Sequence, residues 1–228
     1  MARESKEALR QRAQEIFKRL KKAYPKATTE LKWSNALELL VATILSAQCT
    51  DERVNQVTKE LFKKYRTAED YAKADIEEFQ EEIRSTGFYR NKAKAVIGAA
   101  KMIVEQFGGQ VPDNMEDLLK LPGVRRKTAN VVLSHAIRPN DPQGFIVDTH
   151  VDRLSKRLGL VPSTWRPEQV ERRLMELFDK SQWVFAGDAM VLHGRYVCTT
   201  RNPNCDDCVL EDLCPKRGVE KKTKRGKK

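Results

Sequence analysis

Apolar residues recur at helical spacing along almost all of this 228-residue chain, and no run alternates apolar and polar residues as a half-buried strand does. From Ser34 to Ala47 the chain is apolar nearly all round, which predicts a helix at the centre of a domain with Ser34 as its N-cap. The same spacing predicts further helices near residues 9–20, 54–65, 76–83, 93–107, 115–119, 125–137, 149–158, 167–178 and 183–197. We therefore predict an all-α protein.

The chain is long enough for one large domain or two small ones. No apolar run is long enough to span a bilayer, and residues 1–7 lack the apolar core of a signal peptide. We therefore expect no membrane association and a reducing compartment, either a bacterial cytoplasm with its nucleoid or a nucleus. Structural disulfides are not expected there, so the five cysteines need another explanation.

The formal net charge of +11 indicates a polyanionic partner. Much of it lies in residues 216–228, which hold eight basic residues and one acidic residue and predict a disordered tail that attracts DNA non-specifically. The rest of the chain is only mildly basic, so local clusters must steer a partner. One cluster is the segment 1–30, and the other consists of Lys120, Arg125, Arg126 and Lys127.

The stretch 121–133 predicts two helices joined by a tight Pro122-Gly123 turn, the second helix starting with three cations. Gly123 would let the backbone pass close to a partner, and free amides at a helix start suit a phosphate. The stretch is thus a candidate clamp for the DNA backbone. Taken alone, the stretch is more often an ordinary surface turn in which Lys127 is solvated.

Four cysteines follow a C-x6-C-x2-C-x5-C pattern near the C-terminus, at Cys198, Cys205, Cys208 and Cys214. Four thiolates so close in sequence are able to surround one metal centre, and sulfur ligands select zinc or an iron-sulfur cluster. Structural zinc usually shows two short cysteine pairs, whereas this pattern has one, which favours a [4Fe-4S] cluster. The alternative is two disulfides or four unrelated thiols. Cys49 is expected to be a small buried hydrophobe.

These motifs together resemble the endonuclease III family, the bifunctional DNA glycosylases and abasic-site lyases of the helix-hairpin-helix superfamily. The resemblance covers about residues 28–215 and rests on six motifs: Leu-Ser-Ala-Gln-Cys-Thr-Asp at 45–51, Gly-Phe-Tyr at 87–89, the stretch 121–133, Val-Asp-Thr-His at 147–150, Leu-His-Gly-Arg-Tyr at 192–196, and the four cysteines. It implies that the cysteines hold a [4Fe-4S] cluster. It also implies that Lys127 is the nucleophile and Asp148 its catalytic carboxylate, while Gln48 and Phe88 fill the gap left by an extruded nucleotide.

The chemistry asks for such residues independently. A damaged base inside the duplex has to be flipped out and the hole filled, and Phe88, which follows a glycine, suits an apolar wedge. Its other interpretation is ordinary core packing. An amine that attacks the sugar C1′ leaves a Schiff base, which permits β-elimination of the 3′ phosphate. An alkoxide or an activated water would stop at base removal.

The surroundings of Lys127 decide whether its amine is a nucleophile. Protonation of this amine is disfavoured by the positive charges of Arg125 and Arg126 and by the helix dipole. Asp148 is able to accept that proton and to stabilise oxocarbenium charge, or it simply caps the helix beginning near Thr149. His150 is a candidate to orient that carboxylate.

One position departs from the family pattern. Arg125 stands where the hairpin usually has a second glycine, and arginine would be strained if that backbone requires positive φ. We expect Gln48, Phe88, Gly123, Arg125, Arg126 and His150 to contact DNA.

The resulting hypothesis is a monomeric, two-lobed base excision repair enzyme. Residues 29–141 form a six-helix domain with the helix-hairpin-helix at 113–133, residues 1–28 and 142–215 form an iron-sulfur cluster domain, and 216–228 form the tail. The enzyme removes damaged, oxidised pyrimidines from double-stranded DNA and cleaves the abasic site through a lysine Schiff base. Two alternatives are a monofunctional adenine-type glycosylase and a non-catalytic DNA-binding module with a structural metal.

Overall fold

A computed structural model describes residues 4–219, and within that range it contains helices and no β-strand. The all-α prediction is confirmed. Part of the predicted disordered tail, residues 220–228, lies outside the described residues. None of the helices in the described range is long and apolar enough to cross a membrane. The α-helices are α1 Lys6–Ala23, α2 Ala36–Leu45, α3 Asp51–Lys64, α4 Ala68–Ala72, α5 Ile76–Glu82, α6 Tyr89–Phe107, α7 Met115–Lys120, α8 Arg126–Val132, α9 Thr149–Arg157, α10 Pro167–Leu177 and α11 Trp183–Tyr196.

The chain divides into two compact units. One is Thr29–Gln143, and the other joins the described residues 4–28 with 144–219. The first unit contains α2–α8, and the second contains α1 and α9–α11.

Helix α2 is the centre of the first unit, with Leu39–Leu45 buried throughout. It packs against α3, α6 and α8, so the three helices surround its apolar surface. The predicted N-cap is wrong: Asn35 caps α2, its side-chain oxygen accepting from the amide of Glu38 at 2.9 Å. Ser34 instead donates to the Glu38 carboxylate from both its amide and its hydroxyl, each at 2.7 Å.

The second unit is built on α11, which packs against α1 and α9. Gly194 makes the contact with α9 close, because a Cβ there would lie 2.8 Å from the Cβ of His150. An aromatic and aliphatic core fills the space between these helices and α10, with Ile16, Leu20, Phe145, Leu154, Val170 and Leu174 fully or almost fully buried.

Candidate active site and metal centre

The hairpin between α7 and α8 is closed by a hydrogen bond from the Val124 amide to the Leu121 carbonyl oxygen, at 3.1 Å. Gly123 has φ of +78°, and a Cβ there would lie 2.5 Å from the Cβ of Ala95 in α6. Both the left-handed backbone and the lack of space require glycine at this position. The turn is therefore pressed against α6 by its own geometry.

The backbone at position 125 does not require glycine, the residue that the family pattern has there. Arg125 is the N-cap of α8 with φ of −114° and ψ of 172°, an extended conformation that any residue adopts. Its side chain is exposed and makes no capping hydrogen bond. Arginine is thus unstrained at this position and adds a cation at the start of α8.

Lys127 is the second residue of α8, and its side chain is half-buried. The helix continues behind it with buried Thr128, Ala129 and Asn130, and the chain then passes into a π-helical turn, Leu133–Ile137. Single π-helical turns inside helices are frequent at functional sites. The helix thus holds Lys127 at the boundary between core and solvent.

Asp148 caps α9. One carboxylate oxygen, Oδ1, accepts from the amides of His150 at 2.8 Å and Val151 at 2.9 Å. The other oxygen makes no hydrogen bond to a described residue of its own unit, and the side chain is half-buried. The capping role is therefore observed, and it leaves one oxygen for other chemistry.

His150 contacts Asp148 only through its backbone amide. Its ring nitrogen Nδ1 lies 3.2 Å from the guanidinium of Arg153, which also donates to the carbonyl oxygens of Gly194 at 2.7 Å and Cys198 at 3.1 Å. Because arginine only donates, Nδ1 is the acceptor and the ring proton of the neutral form is on Nε2. The imidazole is thus oriented by Arg153, and the amide of His150 orients the carboxylate.

Gln48 and Phe88 share an unusual backbone. Both are left-handed, with φ of +53° and +49°, and both side chains are exposed. Phe88 is 62% exposed, so the core-packing interpretation is wrong. Strained non-glycine residues of this kind persist only when the surrounding structure holds them, and they cluster at functional sites.

Lys92 lies in the first turn of α6 and was not predicted as a functional residue. Only 5% of it is exposed, and its amine donates to the carbonyl oxygens of Leu45 and Thr86, each at 2.7 Å. Burial lowers the pKa of Lys92, while the nearby Cys49 thiol acts in the opposite direction. The signal in the sequence was its spacing, because Lys92 precedes Val96 by four residues on the apolar face of α6.

The four cysteines of the predicted metal site line one cavity, together with Leu154, Arg157 and His193. All are free thiols and half-buried. Burial raises the pKa of Cys208 and of Cys214, and the neighbouring cysteines act in the same direction. Within residues 4–219, no group of three or more His, Cys, Asp or Glu side chains is arranged to hold a metal ion.

His193 and Arg157 approach this cavity from two helices. His193 is 1% exposed, with Nε2 3.4 Å from the Cys208 sulfur and Nδ1 3.1 Å from the Tyr24 hydroxyl. Burial lowers its pKa to about 4, so the ring is neutral at pH 7. Arg157 is buried and donates to the sulfur of Cys198 at 3.3 Å and to the carbonyl oxygens of Thr199 and Thr200. Neither residue has metal-ligand spacing in the sequence, so the cysteine pattern alone did not reveal them.

The sequence also matches known proteins. Residues 41–180 match the HhH-GPD superfamily of base excision DNA repair proteins. Over 206 residues the chain is 54% identical to an endonuclease III of Synechocystis sp. (strain ATCC 27184 / PCC 6803 / Kazusa), which covers 90% of this chain and 93% of that protein. The chain belongs to the endonuclease III family. The resemblance inferred from the motifs is confirmed.

Two solved endonuclease III structures are similar to the fold. One is a non-covalent complex with DNA, and the other is a trapped covalent intermediate with DNA. Each is 42% identical to this chain with a TM-score of 0.87, covering 91% of it and 95% and 96% of the respective solved chains. As a member of the endonuclease III family, the chain is a base excision repair enzyme with DNA glycosylase and abasic-site lyase activity.

Proposed function

We propose that this enzyme excises oxidised pyrimidines from double-stranded DNA and cleaves the abasic site with Lys127 as nucleophile and Asp148 as catalytic carboxylate. The observation that carries the proposal is the position of Lys127 in the first turn of α8, directly behind a hairpin whose geometry requires Gly123. The solved endonuclease III structure with a trapped covalent DNA intermediate supports a nucleophile in this fold. The oxidised-pyrimidine class rests on the family resemblance.

The amine of Lys127 attacks C1′ of the sugar, and the bond from C1′ to the base breaks as the base leaves with a proton. The C1′–O4′ bond then breaks, the ring oxygen takes up a proton, and C1′ and the lysine nitrogen form a Schiff base. The Schiff base acidifies the 2′ hydrogen, and loss of that proton expels the 3′ phosphate. Hydrolysis of the imine then frees the lysine. Base removal and strand cleavage therefore follow from one covalent intermediate.

Asp148 contributes through the oxygen that does not cap α9. As an anion it stabilises the positive charge that develops on the sugar, and it accepts the proton that the lysine loses. The hydrogen bonds from the amides of His150 and Val151 to Oδ1 fix the orientation of the carboxylate before DNA binds.

Gln48 and Phe88 fill the duplex after the nucleotide has left it. Opening the stack costs a few kcal/mol, and an exposed aromatic ring inserted between bases recovers part of it. Gly123, Arg125, Arg126 and His150 contact the DNA, with Gly123 and the two arginines at the backbone. These contacts make DNA binding depend on salt.

The four cysteines are not arranged around a single metal ion, but they line one cavity and supply the four sulfur ligands of a multi-iron cluster. We infer that Cys198, Cys205, Cys208 and Cys214 hold a [4Fe-4S] cluster in a domain made of residues 1–28 and 142–215. When bound, the cluster would supply a structural centre that ties the loop 198–214 to the rest of the domain. Arg157 donates an N–H group to the Cys198 sulfur, and His193 places Nε2 3.4 Å from the Cys208 sulfur. Such hydrogen bonds tune the stability and potential of a sulfur-ligated centre.

Borohydride trapping on DNA with a preformed abasic site tests the nucleophile. The wild type is expected to form a covalent adduct and Lys127→Gln to form none. Lys120→Gln is the matched control, because Lys120 is exposed and paired with Asp117 at 2.7 Å, and it should still be trapped. Absence of an adduct with the wild type, or undiminished trapping of Lys127→Gln, would contradict the assignment.

Two further assays test the lesion class and the iron-sulfur cluster separately. Release of oxidised pyrimidine from a duplex panel supports the lesion class, whereas release of undamaged adenine from a mispair alone indicates the adenine-type alternative. Iron and acid-labile sulfide near four each per chain support the cluster. Stoichiometric zinc without iron would refute it.

A further inference from the structure

The loops that contain Gln48 and Phe88 each follow the end of a helical segment. The last carbonyl oxygens of the two segments accept hydrogen bonds from the same lysine amine. Leu45 ends α2, three residues before Gln48, and Thr86 ends a 3-10 turn, Arg84–Thr86, two residues before Phe88. The final carbonyls of a helix lack partners within it and carry partial negative charge. One cationic amine within reach of both helix ends is able to donate a hydrogen bond to each of these carbonyl oxygens.

The amine of Lys92 is that cation. It donates to Leu45 and to Thr86 at 2.7 Å, and the backbone amide of Lys92 donates to the carbonyl oxygen of Phe88 at 3.1 Å. A lysine that is only 5% exposed gives up its hydration, and such lysines are rare unless they are paired. The carbonyl pair compensates this loss, and the contact spans 47 residues of sequence.

We propose that Lys92 is a positioning residue that fixes the Gln48 loop against the Phe88 loop, so that both side chains enter the duplex in one register. The inference rests on the proposed role of Gln48 and Phe88 in filling the gap. Lys92 itself does not touch DNA. It acts by holding two loops whose left-handed residues would otherwise relax to another backbone conformation.

The same helices carry the hairpin. Gly123 lies against Ala95 of α6 and Ile44 of α2, and Pro122 lies against Gly98 of α6. These apolar contacts hold the hairpin, whereas the Lys92 amine holds Leu45 and Thr86, so loss of the amine would loosen the two loops and leave the hairpin in place. This separation predicts a selective defect, in which lesion recognition fails while binding to undamaged DNA persists.

The primary test compares Lys92→Met with Lys101→Met, the same substitution at an exposed position of the same helix. Three quantities are measured: the single-turnover rate of base excision, affinity for undamaged duplex, and fluorescence of 2-aminopurine opposite a tetrahydrofuran abasic analogue. We expect Lys92→Met to reduce excision about tenfold or more, to reduce the fluorescence change, and to leave undamaged-duplex affinity within about twofold. An excision rate equal to that of Lys101→Met would overturn the proposal.

A double-mutant cycle with Phe88→Ala separates positioning from general stability. Because Lys92 acts through Phe88 as well as through Gln48, its removal should reduce excision by a smaller factor once Phe88 is truncated, whereas fully additive losses would refute the proposal. Where Lys92→Met does not fold, Lys92→Gln runs the same cycle, since its amide keeps one donor nitrogen without the charge. A wild type that neither excises bases nor forms the borohydride adduct refutes the proposed function instead, so the two failures are distinguishable.

Discussion

The hairpin and the two wedge loops, which contain Gln48 and Phe88, all include a residue with left-handed backbone, but the type of residue differs. At Gly123 the conformation falls on the one residue type that adopts it freely, and Arg125, two residues later, is extended. At Gln48 and Phe88 it falls on residues with side chains, each strained by about 1–3 kcal/mol. The hairpin is thus shaped by its own sequence, whereas the wedge loops depend on distant contacts that include Lys92.

The largest effect that this comparison predicts is at Gly123. Gly123→Ala meets both the left-handed penalty and Ala95, and we expect it to lower the free energy of unfolding by about 2–4 kcal/mol. Gly108→Ala is the control, because Gly108 has φ of +59° and no heavy atom lies within 4 Å of the place that a Cβ would take, and it should cost only about 1 kcal/mol. Urea unfolding of the two variants measures both. Equal losses would show that the contact with α6 does not constrain the hairpin.

Truncating the wedge should leave stability intact and impair catalysis. In Phe88→Ala the backbone strain is unchanged, since alanine also has a side chain, and little buried surface is lost. We expect single-turnover excision to fall about 5- to 150-fold, the equivalent of about 1–3 kcal/mol of stacking. Cleavage of a preformed abasic site should fall less.

Ile76→Ala serves as the control for Phe88→Ala, because Ile76 is an exposed apolar residue of the same unit, in the acidic stretch 69–82. Its excision rate should match the wild type. A Phe88→Ala enzyme with a normal rate and a lowered melting temperature would assign Phe88 to packing and remove the contrast with the hairpin.

Arg125→Gly tests the other side of the comparison. The extended backbone does not need glycine, so the substitution should destabilise by about 0.4–1 kcal/mol through the unfolded chain. Loss of one phosphate contact should also reduce the slope of log affinity against log salt by about 0.9. Titrations of undamaged duplex at several salt concentrations measure this. A stabilised variant would show that arginine is strained at this position.

The smallest effect has the opposite sign. Gln48→Gly relieves a left-handed penalty of about 1–2 kcal/mol and adds chain entropy worth about 0.4–1, so we expect a net stabilisation of about 0.5 kcal/mol. Lesion excision should nevertheless decrease because a gap-filling side chain is lost. Urea unfolding midpoints, measured beside those of Arg125→Gly, give the sign. Destabilisation of both variants would contradict the strain at Gln48.

The features that the sequence predicted are local ones. The helical spacing, the Pro122-Gly123 turn and the cap at Asp148 each depend on residues a few positions apart. Helix α4 was missed because five residues are too few to show a period, although Thr67 and Asp70 form a capping box there. The N-cap of α2 was misplaced by one residue because serine and asparagine cap equally well, and only the backbone decides between them.

The contacts that the sequence did not predict are long-range. Lys92 reaches Leu45, Arg157 reaches Thr199 and Thr200, and His193 reaches Tyr24, all across tens of residues. Each is a polar side chain buried among apolar ones, and its partner is a backbone carbonyl or a distant hydroxyl. Such partners follow from tertiary packing, and no local spacing specifies them.

Peptide mapping of the borohydride-reduced adduct tests the central claim most directly. The wild-type enzyme is trapped on DNA with an abasic site, digested with protease and nuclease, and analysed by mass spectrometry. We expect the sugar remnant on Lys127 alone, at the start of α8 behind the hairpin. A remnant on another lysine or on the N-terminal amine would contradict the assignment of this helix as the catalytic element.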